Sequence, residues 1–399
     1  MNKLRLLALS SLIVIGNQTI ADEDHRNDFT IEGFISLGYM SASDNNFLGD
    51  TNGDDAFLTE NVLKANYSFG HGFSTSGQLL YREAGDKYDG GARIDFLQLD
   101  YHTHLFDDDS TNFTLGRFKT RQGLYNETRD IPYTRPSILL PQSVYLDNTR
   151  NFLLTTDGIK VRSSLPLEES DLTFEVGYGK NSPDDKFSEV TIAETAEGDW
   201  DSENNHYVDL RWESRNLTLG YNFANVVVNY TPNLGSFLTV DFMGFPIPVP
   251  MTPGQFETDF HTYSVQYREA DWELTAELSL REFVTAGFTG GARGVTDVDG
   301  GYVQFRYFVN DTWTTLIRYD DVELDFLISG QGAGVPDDLK KSTDLTLGLS
   351  WTINEDWQLM LEHHFIEGGA WLPPLTKTQL LPPLEPDWGL TAIQVSMKF

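Results

Sequence analysis

Apolar and polar residues alternate with a period of two over much of the chain. A β-strand sends successive side chains to opposite faces, so this period predicts two-faced strands. Residues 263–268 read Tyr, Ser, Val, Gln, Tyr, Arg, and 272–281 read Trp, Glu, Leu, Thr, Ala, Glu, Leu, Ser, Leu, Arg. The same rhythm returns in 303–307, in 345–351 (Leu, Thr, Leu, Gly, Leu, Ser, Trp) and in 393–399 (Ile, Gln, Val, Ser, Met, Lys, Phe). One face of each segment is apolar and the other carries polar or charged groups.

The connections between these segments are of two kinds. Seven are short, near Gly70-His71, Asp107–Asp109, Pro166–Glu169, Arg215, Ala270-Asp271, Asn310-Asp311 and Asn354-Glu355. Eight longer polar ones alternate with them, near 42–58, 84–91, 120–153, 181–205, 231–257, 286–298, 323–342 and 368–386. Together they join sixteen strands. An even number of strands, with short turns at one end and long loops at the other, is the layout of an outer-membrane barrel. The expected fold class is therefore all-β: a transmembrane antiparallel β-barrel of about 16 strands, with short periplasmic turns and long extracellular loops. Of the eight tryptophans, Trp212, Trp272, Trp313, Trp351 and Trp357 fall within three residues of a short turn. Indole is amphipathic and favours the headgroup level, so these five predict an aromatic girdle at that end.

Composition narrows the reading further. The chain has 399 residues, no cysteine, 28 Lys+Arg and 60 Asp+Glu, for a net charge of −32. The absent cysteines exclude a disulfide framework and a Cys-ligated metal. The acidic balance disfavours nucleic acid as a partner, because a duplex is met by a basic footprint. The chain contains no apolar run of eighteen residues, so no spanning helix is expected. At the N-terminus, Lys3 and Arg5 precede the apolar stretch Leu6 to Ile15, and Thr19-Ile20-Ala21 offers small residues for cleavage before Asp22. This order predicts a secretory signal peptide over 1–21 and a barrel over 22–399. The first candidate strand begins at Phe29, which leaves no room for an N-terminal plug.

Two segments resemble the Gram-negative general porin family. The chain ends Ile393-x-Val395-x-Met397-x-Phe399, similar to the outer-membrane assembly signal of such barrels. Leu115-Gly116-Arg117 before the third long loop, and Arg150-Asn151-Phe152 with Asp157-Gly158 after it, resemble the porin segments that flank the loop folded into the pore. The resemblance is specific over about 115–160 and 387–399 and architectural elsewhere. The Pro-Glu-Phe-Gly-Gly loop tip of the family is absent, and Ile131-Pro-Tyr-Thr-Arg-Pro136 stands in its place. The resemblance implies an outer-membrane porin, a passive diffusion channel for small hydrophilic solutes and ions. It also implies the outer-membrane assembly machinery as a partner, and a homotrimer.

The loop over 120–153 is expected to constrict the pore. Loops beyond ~12–15 residues are usually functional or disordered, and Pro132, Pro136 and Pro141 stiffen this one. Residues 117–162 hold eight Lys and Arg against four acids, a reversal of the overall charge. The expected constriction residues are Arg117, Arg121, Arg129, Arg135, Arg150, Glu127, Asp130 and Asp147. Clustered cations at a constriction would favour anions, because low-dielectric walls focus their field. The other reading of these cations is a rim that binds lipopolysaccharide phosphates. Alternation from Phe113 and Leu115 would put Arg117 and Lys119 on the lipid face, whereas the resemblance puts Arg117 in the lumen. Parity assigns Arg82, Arg211, Arg268, Arg306 and Arg318 to the lumen wall, to which Lys160 and Arg162 are added. The same parity points Arg281, Asp100, Asp209, Glu213, Glu273, Glu277 and Glu362 inward.

Enzyme and metal signals are weak. The sequence has no G-x-S-x-G and no H-E-x-x-H. His102 and His104 share a strand face without a third ligand, and Asp50-x-Asn52-x-Asp54 departs from the EF-hand pattern. No cofactor and no metal is expected. The alternatives to a general channel are a substrate-specific channel lined by Tyr125, Tyr133 and Tyr145, and a closed barrel acting as a surface receptor or a lipid-hydrolysing enzyme.

Overall fold

The computed structural model describes residues 28–48, 56–85, 88–105, 109–147, 150–183, 187, 192, 196–242, 245–289, 291–327, 336–370, 372 and 385–399. The expected signal peptide at 1–21 and the acidic segment 50–54 lie outside them. Alternation becomes strand throughout. The first seven strands are β1 (Phe29–Ala42), β2 (Ala56–Gly70), β3 (Phe73–Ala84), β4 (Tyr88–Thr103), β5 (Ser110–Lys119), β6 (Thr155–Pro166) and β7 (Ser170–Lys180). Then come β8 (Gly198–Ser202), β9 (Asn205–Ser214), β10 (Leu217–Pro232), β11 (Phe237–Phe242), β12 (Phe245–Pro250) and β13 (Gly254–Arg268). The last six are β14 (Trp272–Gly287), β15 (Ala292–Phe308), β16 (Trp313–Phe326), β17 (Lys341–Thr352), β18 (Trp357–Gly368) and β19 (Asp387–Lys398).

Each barrel strand pairs antiparallel with its neighbours, and β19 returns to β1 in a register from Phe34 opposite Lys398 to Ala42 opposite Leu390. Closure leaves no unpaired strand edge, which is what a spanning sheet requires in lipid. The wall has sixteen strands, because β8 prolongs the line of β9 along β10, and β11 with β12 forms a separate hairpin. Six of the expected turns lie at one end, and the seventh, Asp107–Asp109, falls largely outside the described residues. Two of the eight expected loops are much shorter than 84–91 and 286–298 suggested, since β4 starts at Tyr88 and β15 at Ala292. Their extra residues, 88–91 and 292–298, mix glycine and charged groups with single apolar residues such as Val295 and Val298, so no run of strict alternation marks the strand's continuation.

Polarity is inverted relative to a soluble sheet protein. In β17, Leu345, Leu347 and Leu349 face outward and are exposed, while Asp344 and Thr346, on the alternate positions, are buried inside. The tryptophans near the turns also face outward, and Trp313 and Trp351 stack with parallel rings 5.2 Å apart. The interior is itself divided along its length. Toward the turns the inward positions are polar, such as Ser36, Thr114, Thr275, Gln304 and Ser396. Toward the loops they are apolar, such as Met40, Leu58, Val322, Ile366 and Leu390, and these join one packed cluster with loop residues.

Candidate functional site: the lumen and its inward loop

The third loop leaves β5, makes 3-10 turns at Asn126–Thr128 and Pro132–Thr134, and enters β6 through the one-turn helix α1 (Arg150–Leu153). It runs inside the barrel. Residues 135–145 are buried without a break, eleven in succession, so this segment has no water-facing side.

Strand carboxylates grip its backbone. Glu362 on β18 accepts the amides of Ile138 and Leu139, each at 2.8 Å. Glu277 on β14 accepts the Leu124 amide at 2.9 Å and the hydroxyls of Tyr145, Tyr302 and Ser264 at 2.5, 2.7 and 2.5 Å. Burial and the adjacent Glu277 carboxylate push the Tyr145 phenol well above its ordinary pKa, so it remains a donor. Gly123 permits this arrangement: it has φ +60°, and a Cβ there would lie 2.3 Å from the Tyr145 hydroxyl. Arg318 donates to the Ser137 hydroxyl at 2.9 Å, and Arg281 to the Ser143 carbonyl. The Tyr133 phenol reaches the carbonyl oxygens of Asp356 and Ser396 at 2.6 and 2.9 Å.

An ionic network fixes the other flank. Glu60 on β2 lies 3.1 Å from Arg82, 2.9 Å from Arg135 and 3.3 Å from Arg150. Asp147 lies 3.1 Å from Arg82 and 3.4 Å from Arg129. Asp130 pairs with Lys119 and Arg150, and Asp95 with Lys119 at 2.7 Å. All nine side chains are buried. Ions so placed add little net stability but are costly to unpair, so the network chiefly dictates where the loop lies.

A second network faces the turn end and is partly wet. Glu127 pairs with Arg121 at 2.9 Å and Arg162 at 2.7 Å. Burial raises the Glu127 pKa, but Arg162, Arg121 and Lys160 outweigh it and hold the carboxyl below its ordinary range. Arg162 also binds Glu175, Arg121 and Arg211 bind Asp209, and Arg306 and Arg268 bind Glu273. In the pairs with Glu175, Asp209 and Glu273 the cation is the wetter partner, whereas Glu127 is slightly wetter than either of its arginines. The Arg162 side chain is 26% exposed against 0% for Glu175, and Arg306 22% against 3% for Glu273.

The structure therefore distributes the sequence candidates among three settings. Arg129, Asp130, Arg135, Asp147 and Arg150 lie in the buried network with Arg82, and Arg121 and Glu127 border the wet one. Of the wall residues, Lys160 and Arg318 are buried, whereas Arg162, Arg211, Arg268 and Arg306 border water. Arg117 needs correction as a constriction residue. It sits opposite the exposed Leu97 on the outer face and pairs there with Asp157 at 2.7 Å. Parity holds through Arg117 and fails after it, because Phe118 and Lys119 are both buried where the strand turns into the loop. Two partners escaped the sequence reading. Glu60 lies among inward Ala56, Leu58 and Val62, so it reads as belonging to an apolar face. Asp95 stands where the β3–β4 register shifts, which alternation cannot reveal. Among the described residues, no three His, Asp or Glu side chains are grouped to hold a metal.

No protein-family model matches the sequence, and no curated protein sequence does. Solved structures do match by shape. In-vitro folded OmpT of Vibrio cholerae, in a trimer form, aligns with a TM-score of 0.58 at 13% identity, over 94% of this chain and 99% of that one. An anion-selective porin from Comamonas acidovorans aligns at 0.53 and 12% identity, over 94% and 100%. Salmonella typhi OmpF in complex with daunomycin aligns at 0.57 and 13% identity, over 94% and 98%. The chain has the fold of the outer-membrane porins.

Proposed function

We propose that the protein is an outer-membrane porin, a passive channel for small hydrophilic solutes and ions. The observation that carries this reading is the closed sixteen-stranded wall, apolar outside and polar inside, with a long loop folded into its lumen. Only closed barrels and helices span a bilayer, and no described helix is long and apolar enough to cross one. The wide lumen of sixteen strands calls for a constriction, and the third loop supplies it. No chemical step is assigned. Lipopolysaccharide at the outer rim, the barrel assembly machinery at the C-terminal strand and a homotrimer belong to the same reading.

Anion preference follows from the wet pairs. A solute near the loop meets the guanidinium edges of Arg121, Arg162, Arg211 and Arg306, with their carboxylate partners more deeply buried in most of these pairs. The test is single-channel current through refolded protein in a planar bilayer under a KCl gradient. A reversal potential of anion sign is expected, and Arg162→Ala moves it toward cations. Cation selectivity in the unaltered protein would sink the preference and leave the channel. A substrate-specific channel is the second reading, favoured by the tight seating of residues 135–145; saturable flux of one solute class would select it.

A further inference from the structure

The fifth long connection carries the hairpin of β11 and β12, paired from Phe237 opposite Pro250 to Phe242 opposite Phe245. Its register fixes which backbone groups look outward. The Met251 amide donates to the Ser236 carbonyl at 3.0 Å, so the pair just below the hairpin is hydrogen-bonded. Antiparallel pairs alternate between bonded and non-bonded. Leu238 with Val249, Val240 with Ile247 and Phe242 with Phe245 are therefore the bonded pairs. Phe237, Thr239 and Asp241 on β11, and Pro246, Pro248 and Pro250 on β12, turn their backbone groups away from the other strand.

The two edges are thus unlike. All three outward positions of β12 are proline. Proline has no N–H, so this edge presents carbonyl groups alone and cannot complete a further ladder. Prolines in this phase blunt the edge and leave the hairpin's own bonds intact. The outer edge of β11 has no such device. Phe237, Thr239 and Asp241 each keep an N–H and a C=O there, and among the described residues no third strand pairs with them. Leu238 packs against the cluster of Ala196, Tyr230 and Met251, so the hairpin is anchored at the loop end of the barrel.

The ground beside the hairpin has one sign. Glu197, Asp199, Asp201 and Glu203, on and around β8, are exposed. The Asn233 amide, just before β11, donates to the Glu197 carbonyl at 3.0 Å, which ties this acidic segment to the hairpin's base. Glu257 and Asp259 follow on β13. No lysine or arginine occurs over 187–210 or 216–267. Among the described residues only Lys180 pairs with these acids, 3.3 Å from Asp201.

We propose that the outer edge of β11 receives an extended, cationic peptide segment of a partner protein outside the cell, as an added strand. The backbone groups of Phe237, Thr239 and Asp241 supply the ladder, which is indifferent to the partner's side chains. The surrounding carboxylates supply the choice, favouring lysine and arginine over acidic residues. This goes beyond the channel reading and holds whether or not the lumen conducts.

The test uses the refolded full chain in detergent micelles and a fluorescein-labelled synthetic peptide alternating lysine with valine. Fluorescence anisotropy is expected to show saturable binding of one peptide per chain, weakened by added salt. The same peptide with every backbone amide methylated keeps its charges and loses its donors. It is expected to bind at least about tenfold more weakly, as the loss of several ladder hydrogen bonds implies. Thr239→Pro gives β11 the device that β12 already has and is expected to weaken the unmodified peptide as much, with β-sheet circular dichroism unchanged. Thr239→Val keeps the N–H and is expected to bind like the unaltered chain. Equal binding of the methylated and unmodified peptides by the unaltered chain would show charge acting alone and overturn the added strand, whatever the variants do. Absence of binding at low salt overturns the proposal outright. Planar-bilayer current from the same preparation is read separately: a silent barrel that binds the peptide breaks the channel reading and leaves the strand edge standing.

Discussion

The two ends of the lumen solve opposite problems with the same strands. Toward the turns, inward positions are hydroxyls, amides and ion pairs, and the cations of those pairs touch water. Toward the loops, the same faces of β1, β2, β16, β18 and β19 present Met40, Leu58, Val322, Ile366 and Leu390 to other side chains. A lumen polar over its whole length would need no second core. The difference teaches that inward-facing is not one environment here. The turn end is polar and in part wet, the loop end is packed and apolar, and the ionic network around Glu60 and Asp147 lies where the third loop meets the wall.

That contrast can be broken from either side. The largest effect is expected at Glu60, which three guanidinium groups share. Removing one partner of a buried pair costs about 3–5 kcal/mol, so Glu60→Ala should lower the urea midpoint of the refolded barrel strongly. A midpoint close to that of the unaltered protein would show the network to be solvated. Next comes the packed end. Ile138→Ala leaves a hole in the apolar cluster, and such truncations cost roughly 2–5 kcal/mol; thermal unfolding in detergent would register it, while reversal potential should hold. The smallest effect belongs to Arg117. Its pair with Asp157 is half-exposed on the outer face, and exposed pairs contribute about 0–1 kcal/mol. Arg117→Ala should change neither unfolding nor ion selectivity appreciably, and a shifted reversal potential would return it to the lumen.

Much of the wall was legible in the chain. The six described turns, the outward leucines and the apolar face of 393–399 follow from alternation and turn residues alone, because each is decided within a few residues. The seat of the third loop was not legible. Its charges are satisfied by Glu60, Arg82, Lys119 and Asp95, partners brought near only by barrel closure. Local parity also misjudged the end of β5. Gly116, at φ +125°, precedes a strand end where Phe118 and Lys119 are both buried, so alternation stops being a guide. The dry loop end was hidden for a further reason. Apolar residues are expected to face lipid, and the inward stripe from Ala56 to Val62 has the same letters as an outward one.

One detail bears on how the molecule is made. Tyr133, from the first third of the chain, binds carbonyl groups of Asp356 and Ser396, and Arg135 binds Gln394 at 3.0 Å. The last strand is therefore part of the third loop's seat. A contact spanning some two-thirds of the sequence forms late, since long-range pairings are the slow ones. The lumen cannot acquire its final filling while the C-terminal strand is missing, so joining the ends of the sheet and settling its contents are one event in folding rather than two.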